Sequence, residues 1–139
     1  MTPSLYSLLG FVVWTMLVVV AGIGVPRVSA VLARRAAPKS FTADVPHGSE
    51  RYRRTMRAHA NCVENLPIFA VLVLLARAVS LENSLFDTLA VIVLPARVAQ
   101  TAIHVASGSN RAVLARFWFF SIQVASFAAM ALILAFFRT

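Results

Sequence analysis

Residues 57–79 read RAHANCVENLPIFAVLVLLARAV, a segment whose polar first half leads into an almost unbroken apolar run. A bilayer core about 30 Å thick requires roughly 20 mostly apolar residues for a helix to cross it. This segment meets that requirement, and three similar segments occupy most of the remaining chain. We therefore predict a membrane helix that carries arginine, asparagine and glutamate towards one of its ends.

The composition of the whole chain agrees with a membrane protein. The 139 residues are 60% hydrophobic and 13% charged, with a mean hydropathy of +0.80, which is outside the usual range of soluble domains. Backbone polar groups in a bilayer must be satisfied internally, and the alternating segments of a membrane barrel are absent from the sequence. We predict an all-α integral membrane four-helix bundle, one domain over residues 1–139, with spans at about 5–32, 57–79, 85–106 and 112–137. The first span is too long for a signal peptide and lacks a basic segment before it, so we expect it to be retained.

Positive charge is concentrated in the first connection, residues 33–56, of a chain with net charge +8. The positive-inside rule predicts that this loop is cytoplasmic and that both termini lie outside, in a multi-pass protein of a bacterial inner membrane. We expect most of these charges to set topology and to contact lipid headgroups. Nucleic-acid binding is not predicted, since no aromatic platform accompanies the charge. The basic residues of the loop and its edge are Arg34, Arg35, Lys39, Arg51, Arg53, Arg54 and Arg57.

A first polar stripe lies on the second span, where Arg57, Asn61 and Glu64 stand at i, i+4 and i+7 and therefore share one helix face. A charged residue at the centre of a membrane helix costs about 2.5 to 3.5 kcal/mol on insertion scales. We therefore predict that Glu64 points into the bundle or into a water-filled cavity. The alternative is structural, with Arg57 and Glu64 bridging neighbouring helices.

A second polar stripe lies on the third span, where Arg97, Gln100 and His104 stand at i, i+3 and i+7. Antiparallel neighbours would bring this stripe, and Arg111 beyond it, to the same membrane side as the first stripe. The expected result is a cationic pocket near the cytoplasmic surface that suits a small anionic or zwitterionic ligand. No metal site is predicted, because the three histidines lack ligand spacing. The single cysteine, Cys62, is expected to be an inert packed thiol.

Three stretches carry a resemblance to a known family: RAHANCVENLPIF at 57–69, ARRA at 33–36 and PARVAQTAIH at 95–104. The chain resembles, over nearly its whole length, the MAPEG family of membrane-associated proteins in eicosanoid and glutathione metabolism, which includes leukotriene C4 synthase, microsomal prostaglandin E synthase and microsomal glutathione transferase. The resemblance implies a homotrimer that binds glutathione between adjacent subunits near the cytoplasmic membrane edge. It also implies lipids and a lipophilic small-molecule substrate as partners, with glutathione as co-substrate and no metal.

The resemblance further implies roles for individual residues. The first stripe would hold the peptide part of glutathione, and Arg35 would reach in from the adjacent subunit. The thiolate-stabilising arginine is placed most simply at Arg111, and a gapped alignment places it at Arg116 instead. The residues implied to bind glutathione are Arg35, Arg57, His59, Asn61, Glu64, Arg97, Gln100 and His104.

The implied mechanism has a physical basis. A free thiol with a pKa of about 8.5 is mostly protonated at neutral pH, so a nearby guanidinium favours the nucleophilic thiolate. The thiolate would attack a lipophilic electrophile or reduce a peroxide. The family's tyrosines are replaced here by Gln100, His104 and Asn65. This departure leaves a second hypothesis open, a non-catalytic protein of the same type that binds lipid or glutathione or acts as a structural membrane partner.

Overall fold

The structure is a computed structural model that describes residues 1–42 and 47–136. Those residues form helices and their connections, with four helical spans long and apolar enough to cross a membrane. The first span is one helical segment of three parts, and each of the other spans is a single helix. The elements are α1 (Pro3–Val19), a π-helical turn (Val20–Gly24), α2 (Val25–Leu32), α3 (Glu50–Ala78), α4 (Ser84–Ala106) and α5 (Asn110–Ala135), with a short 3₁₀ turn at Pro38–Ser40.

Each span begins at a short polar residue whose side chain accepts a hydrogen bond from a backbone N–H of the first turn. Such caps satisfy donors that the first turn of a helix leaves unpaired. They therefore fix where each span starts. The pairs are Thr2 with Leu5, Ser49 with Tyr52, Asn83 with Phe86, and Ser109 with Ala112, at 3.4, 3.2, 2.9 and 3.3 Å respectively.

The predicted spans agree with the helices except at the start of the second. That helix begins at Glu50 rather than Arg57, because Ser49 caps it and the polar residues that follow continue the helix outside the apolar region. The loop expected over 33–56 is correspondingly shorter. Residues 43–46 of that loop, and the expected end of the fourth span at Phe137, lie outside the described residues.

The bundle places apolar side chains on its surface and a large share of its polar side chains inside. Large hydrophobic residues are exposed along every span, as expected for helices that face lipid. Polar side chains that face neighbouring helices can hydrogen-bond to them instead of facing hydrocarbon. The buried polar residues are Ser4, Ser7, Thr15, Thr55, Asn65, Arg97, Gln100, Thr101, His104, Gln123 and Ser126.

An aromatic core fills the half of the bundle that lies away from the loop of residues 33–49. The Phe69 ring lies between those of Phe11 and Phe127, with centroids 5.8 and 5.9 Å away. Here α1 packs against α3 and α4, and α5 packs against α4 and α3. The Ser7 hydroxyl donates to the Ala90 carbonyl at 2.6 Å, joining α1 to α4. We call the opposite end, where residues 33–49 and 107–109 connect the spans, the basic end.

The π-helical turn brings the first span against α3 at Gly22. A Cβ added at Gly22 would lie 2.5 Å from the Thr55 Cγ2 atom, whereas one added at Gly24 would meet only the Val19 carbonyl oxygen at 3.5 Å. Thr55 is buried, and its hydroxyl donates to the Arg51 carbonyl at 2.9 Å, so its methyl group has little freedom to move. Gly22 therefore permits the close approach of these two spans.

The first prediction compares these two glycines. Gly22→Ala should lower the free energy of unfolding by about 1 to 3 kcal/mol, because the added methyl group would overlap the Thr55 side chain and overpacking of this kind costs about that much. Gly24→Ala should leave it unchanged or raise it by up to about 1 kcal/mol, because alanine is the better helix former. Thermal unfolding of both variants in detergent measures the difference. Equal stability of the two variants would contradict the close approach at Gly22.

Candidate functional site

The first stripe lies on the outer surface of the single chain. Arg57 and Glu64 are exposed and Asn61 is half-buried. The inward face of α3 at this level is formed by Ala58, Cys62 and other buried residues. The expectation that Glu64 points into the bundle is therefore wrong for one subunit, because small residues on the other face of the helix take the interior positions.

The second stripe faces inward, as predicted for polar residues within a span. Arg97 is 1% exposed, and Gln100 and His104 are also buried. The Arg97 guanidinium carbon lies 5.3 Å from the centroid of the Phe11 ring, and its Nε and Nη2 atoms have no hydrogen-bond partner among the described residues. The arginine is thus held by the interior of the bundle, with donors available to a further group.

A buried amide network links α4 to α5 beside this stripe. The Gln123 Nε2 atom donates to Gln100 Oε1 at 3.0 Å and to the Phe119 carbonyl at 2.8 Å. The Gln100 Nε2 atom donates to the Arg116 carbonyl at 3.3 Å. Gln123 is not among the site residues predicted from the sequence, although an amide inside an apolar span is a signal that could have identified it.

The two stripes are neighbours even though they face different directions. Arg97 lies near enough to Glu64 for an electrostatic interaction, and His104 interacts in the same way with Arg57 and Arg116. The expected adjacency of the spans is therefore present at this level. The stripes together place four charged or ionisable groups around the contact between α3 and α4 rather than in one inward pocket.

His59 and Cys62 flank the first stripe on α3. His59 is half-buried, and its Nδ1 atom is buried without a hydrogen-bond partner in the described part of the chain. Cys62 is fully buried, and its sulfur lies 3.7 Å from the Thr101 hydroxyl. Within residues 1–42 and 47–136, no group of three His, Cys, Asp or Glu side chains could hold a metal ion.

The two candidate thiolate-stabilising arginines occupy different environments on α5. Arg111 lies in the first turn at the basic end and is exposed, and its side chain makes no hydrogen bond or ion pair with any described residue. Arg116 is half-buried, its Nε atom is buried without a partner in the described segments, and it lies near His104. Arg111 is therefore directed outward and Arg116 towards the second stripe.

Arg35 follows the end of the first span, where a Schellman motif turns the chain. Arg34 has φ +56°, the left-handed conformation that glycine usually supplies at this position. The Arg35 N–H donates to the Ala30 carbonyl and the Arg34 N–H to the Val31 carbonyl, both at 2.9 Å. Both arginine side chains are exposed. The turn thus directs Arg35 away from its own bundle.

These features define a class: a helical, multi-pass protein whose spans carry polar side chains on an outer face as well as inside the bundle. Comparison with family models identifies the group within that class. The model of the MAPEG family matches residues 5–136, so the chain belongs to the MAPEG family and is an integral membrane protein. The family includes glutathione transferases and peroxidases, and some of its members are non-catalytic. Neither the curated proteins nor the solved structures compared with the chain contain a match.

Proposed function

We propose that this protein is a glutathione-dependent membrane transferase or peroxidase that acts on a lipophilic electrophile. The observation that carries the proposal is the exposure of Glu64, with Arg57 and Asn61 beside it, on the outer surface of a 29-residue membrane helix. A carboxylate in that position facing lipid would be costly. Covering it with a polar ligand and a second subunit removes that cost, and a zwitterionic tripeptide offers complementary ammonium and carboxylate groups.

The proposed assembly is a homotrimer in which adjacent subunits complete each glutathione site. The side chains of Arg35 and Arg111, both exposed at the basic end, make no hydrogen bond or ion pair with the residues that the structure describes, and this supports a role across an interface. We place the basic end in the cytoplasm of a bacterial cell and both termini outside. Mass spectrometry from mild detergent should show trimer ions, and only monomer ions at every concentration would reject the assembly.

In the proposed reaction the glutathione sulfur is the nucleophile. The thiol proton passes to water, and the positive charge of Arg111 stabilises the thiolate that is left, so no protein base or metal is required for attack. In conjugation, sulfur forms a bond to an electrophilic carbon and the leaving group departs with the bonding electron pair. In the peroxidase reaction, two glutathione molecules are oxidised to the disulfide while the peroxide is reduced to an alcohol and water.

Arg35 provides a prediction with a matched control. Arg35→Ala should raise the dissociation constant of glutathione about 10-fold, because one charge-assisted hydrogen bond from the adjacent subunit is lost. Arg34→Gly should leave glutathione affinity unchanged, since glycine fits the left-handed turn that Arg34 now occupies. Calorimetric titration measures both. Equal affinities in Arg35→Ala and the parent would remove Arg35 from the site.

The function itself is tested by conjugation of glutathione to 1-chloro-2,4-dinitrobenzene by detergent-purified protein. The proposal requires a rate that depends on glutathione and on protein concentration. One observation favours the non-catalytic alternative: Gln100, which replaces a family tyrosine, is engaged in hydrogen bonds with Gln123 and the Arg116 carbonyl. Saturable glutathione binding without conjugation or peroxide reduction would support that alternative.

A further inference from the structure

Arg27, in α2 at the basic end, joins three parts of the chain. Its Nε atom donates a hydrogen bond to the hydroxyl of Tyr52, in the first turn of α3. Its guanidinium carbon lies 5.4 Å from the centroid of the Phe41 ring and 6.0 Å from the centroid of the Tyr52 ring. Both distances are in the range of a cation–π contact, about 6 Å or less. We call Arg27, Phe41 and Tyr52 the arginine clamp.

The arginine clamp holds its cation with aromatic faces and a hydroxyl oxygen instead of a carboxylate. Arg27 is half-buried and forms no ion pair with a residue that the structure describes. A guanidinium gains more from an aromatic face when it is partly removed from water. The Tyr52 ring is itself packed against Gly48, which has φ +78° and where an added Cβ would lie 2.7 Å from the Tyr52 Cδ1 atom. The clamp is therefore a packed contact between elements.

Residues 33–41 form a closed loop on the end of the first span. The left-handed turn at Arg34 redirects the chain where α2 ends, and the 3₁₀ turn at Pro38–Ser40 bends it again. Phe41 then returns to Arg27, so both ends of this segment are attached to α2. Closing a loop in this way reduces the conformations that are open to the residues between its ends.

We propose that Arg27 is a positioning residue that, through the arginine clamp, holds Arg35 where it can reach glutathione bound with the adjacent subunit. The Arg35 side chain is exposed and makes no hydrogen bond or ion pair with a described residue, so its placement depends on its backbone. Fixing that backbone before the ligand arrives lowers the ordering cost of binding. Arg27 itself makes no contact with glutathione. This inference rests on the proposed function.

Trypsin cleavage of the full-length, ligand-free protein in detergent tests the clamp without glutathione. A protease cuts a locally opened segment in proportion to the population of its open form. Arg27→Met should therefore speed cleavage after Lys39 about tenfold, as for loss of a hydrogen bond from a charged group. Tyr52→Phe, which removes only the hydroxyl, should speed it by a smaller factor. Arg53→Met, an exposed position outside the clamp, should be cut like the parent; mass spectrometry of the fragments measures each rate.

A double-mutant cycle then measures whether Arg27 acts through Arg35. Arg27→Met should raise the dissociation constant of glutathione about fivefold, the cost of ordering one side chain, when Arg35 is present. The same change should have no effect in the Arg35→Ala background, because the residue that the clamp positions is already absent. Tyr52→Phe should follow the same pattern with a smaller effect, and Arg53→Met should bind glutathione like the parent in both backgrounds. Calorimetric titration measures each affinity.

Three outcomes would overturn the positioning role. The first is cleavage after Lys39 at the parent rate in both Arg27→Met and Tyr52→Phe, which would show that no clamp holds the segment. The second is a loss of affinity in Arg27→Met that persists in the Arg35→Ala background, which would show that Arg27 does not act through Arg35. The third is absence of glutathione binding by the parent, which would reject the proposed function too, while the cleavage rates would still report the clamp separately.

Discussion

Replacing Arg111 with alanine is expected to lower the turnover of glutathione conjugation about 100-fold or more, because removal of one preorganised donor that stabilises developing negative charge has an effect of this size. Arg111 is exposed in the first turn of α5, and its side chain makes no hydrogen bond or ion pair with a described residue. Its removal should therefore leave folding intact. Since the arginine acts on the thiolate, kcat should fall much more than glutathione affinity. Steady-state kinetics at saturating glutathione, with calorimetric binding alongside, measures the two effects separately.

Arg116→Ala is the matched control on the same helix. The two arginines are five positions apart along the helix, so their side chains leave α5 about 140° apart. Arg116 lies towards His104 inside the bundle, and alanine there should change turnover little. Loss of turnover only in Arg116→Ala would transfer the catalytic role to that residue. Normal turnover in both variants would exclude an arginine-stabilised thiolate at either position.

The second large effect is expected at Glu64. Glu64→Gln should weaken glutathione binding about 10-fold to 100-fold, which corresponds to about 1.5 to 3 kcal/mol for a hydrogen bond between charged groups. The substitution keeps the size of the side chain and removes its charge. Because Glu64 is exposed in the single chain, the interior packing of α3 should not change. Isothermal titration calorimetry of parent and variant gives the two affinities.

Glu82→Gln serves as the control for Glu64, because Glu82 is an exposed carboxylate in the connection at the opposite end of the bundle. Its replacement should not change glutathione affinity. If Glu64→Gln also binds like the parent, the first stripe has a structural role. In that case the electrostatic attraction between Glu64 and Arg97 would account for the carboxylate.

The spans could be predicted from the sequence because their lengths and apolar content are set by the bilayer. The spacing of each polar stripe was equally informative, since residues at i, i+3 or i+4, and i+7 share a helix face in any packing. Spacing does not determine whether that face points inward. In α3 the opposite face points inward, because Ala58 and Cys62 are small enough to pack in the interior and leave Glu64 outside.

Other parts of the site depend on tertiary contacts that one sequence does not reveal. The left-handed turn at Arg34 occurs without the glycine that usually marks it. The link between Gln100 and Gln123 joins residues on two helices, and the hydropathy of either span gives no sign of the pairing. A cavity of about 700 Å³, with Trp14, Arg51 and Ala102 among its lining residues, requires the first span, α3 and α4 to meet at one end of the bundle. The amide link and the cavity became visible only once the helices were packed, whereas the turn at Arg34 is a local conformation that no glycine marks.

Whether the protein holds glutathione as a thiolate can be measured by the ultraviolet absorbance of the bound thiolate. Glutathione is added to purified parent protein over a range of pH, and the difference spectrum is recorded against free glutathione. Thiolate absorbance is expected on the protein at neutral pH, below the pKa of about 8.5 of an ordinary free thiol, and is expected to be lost in Arg111→Ala. Thiolate that forms on the protein only at the same pH as in free solution would show that the protein does not stabilise it.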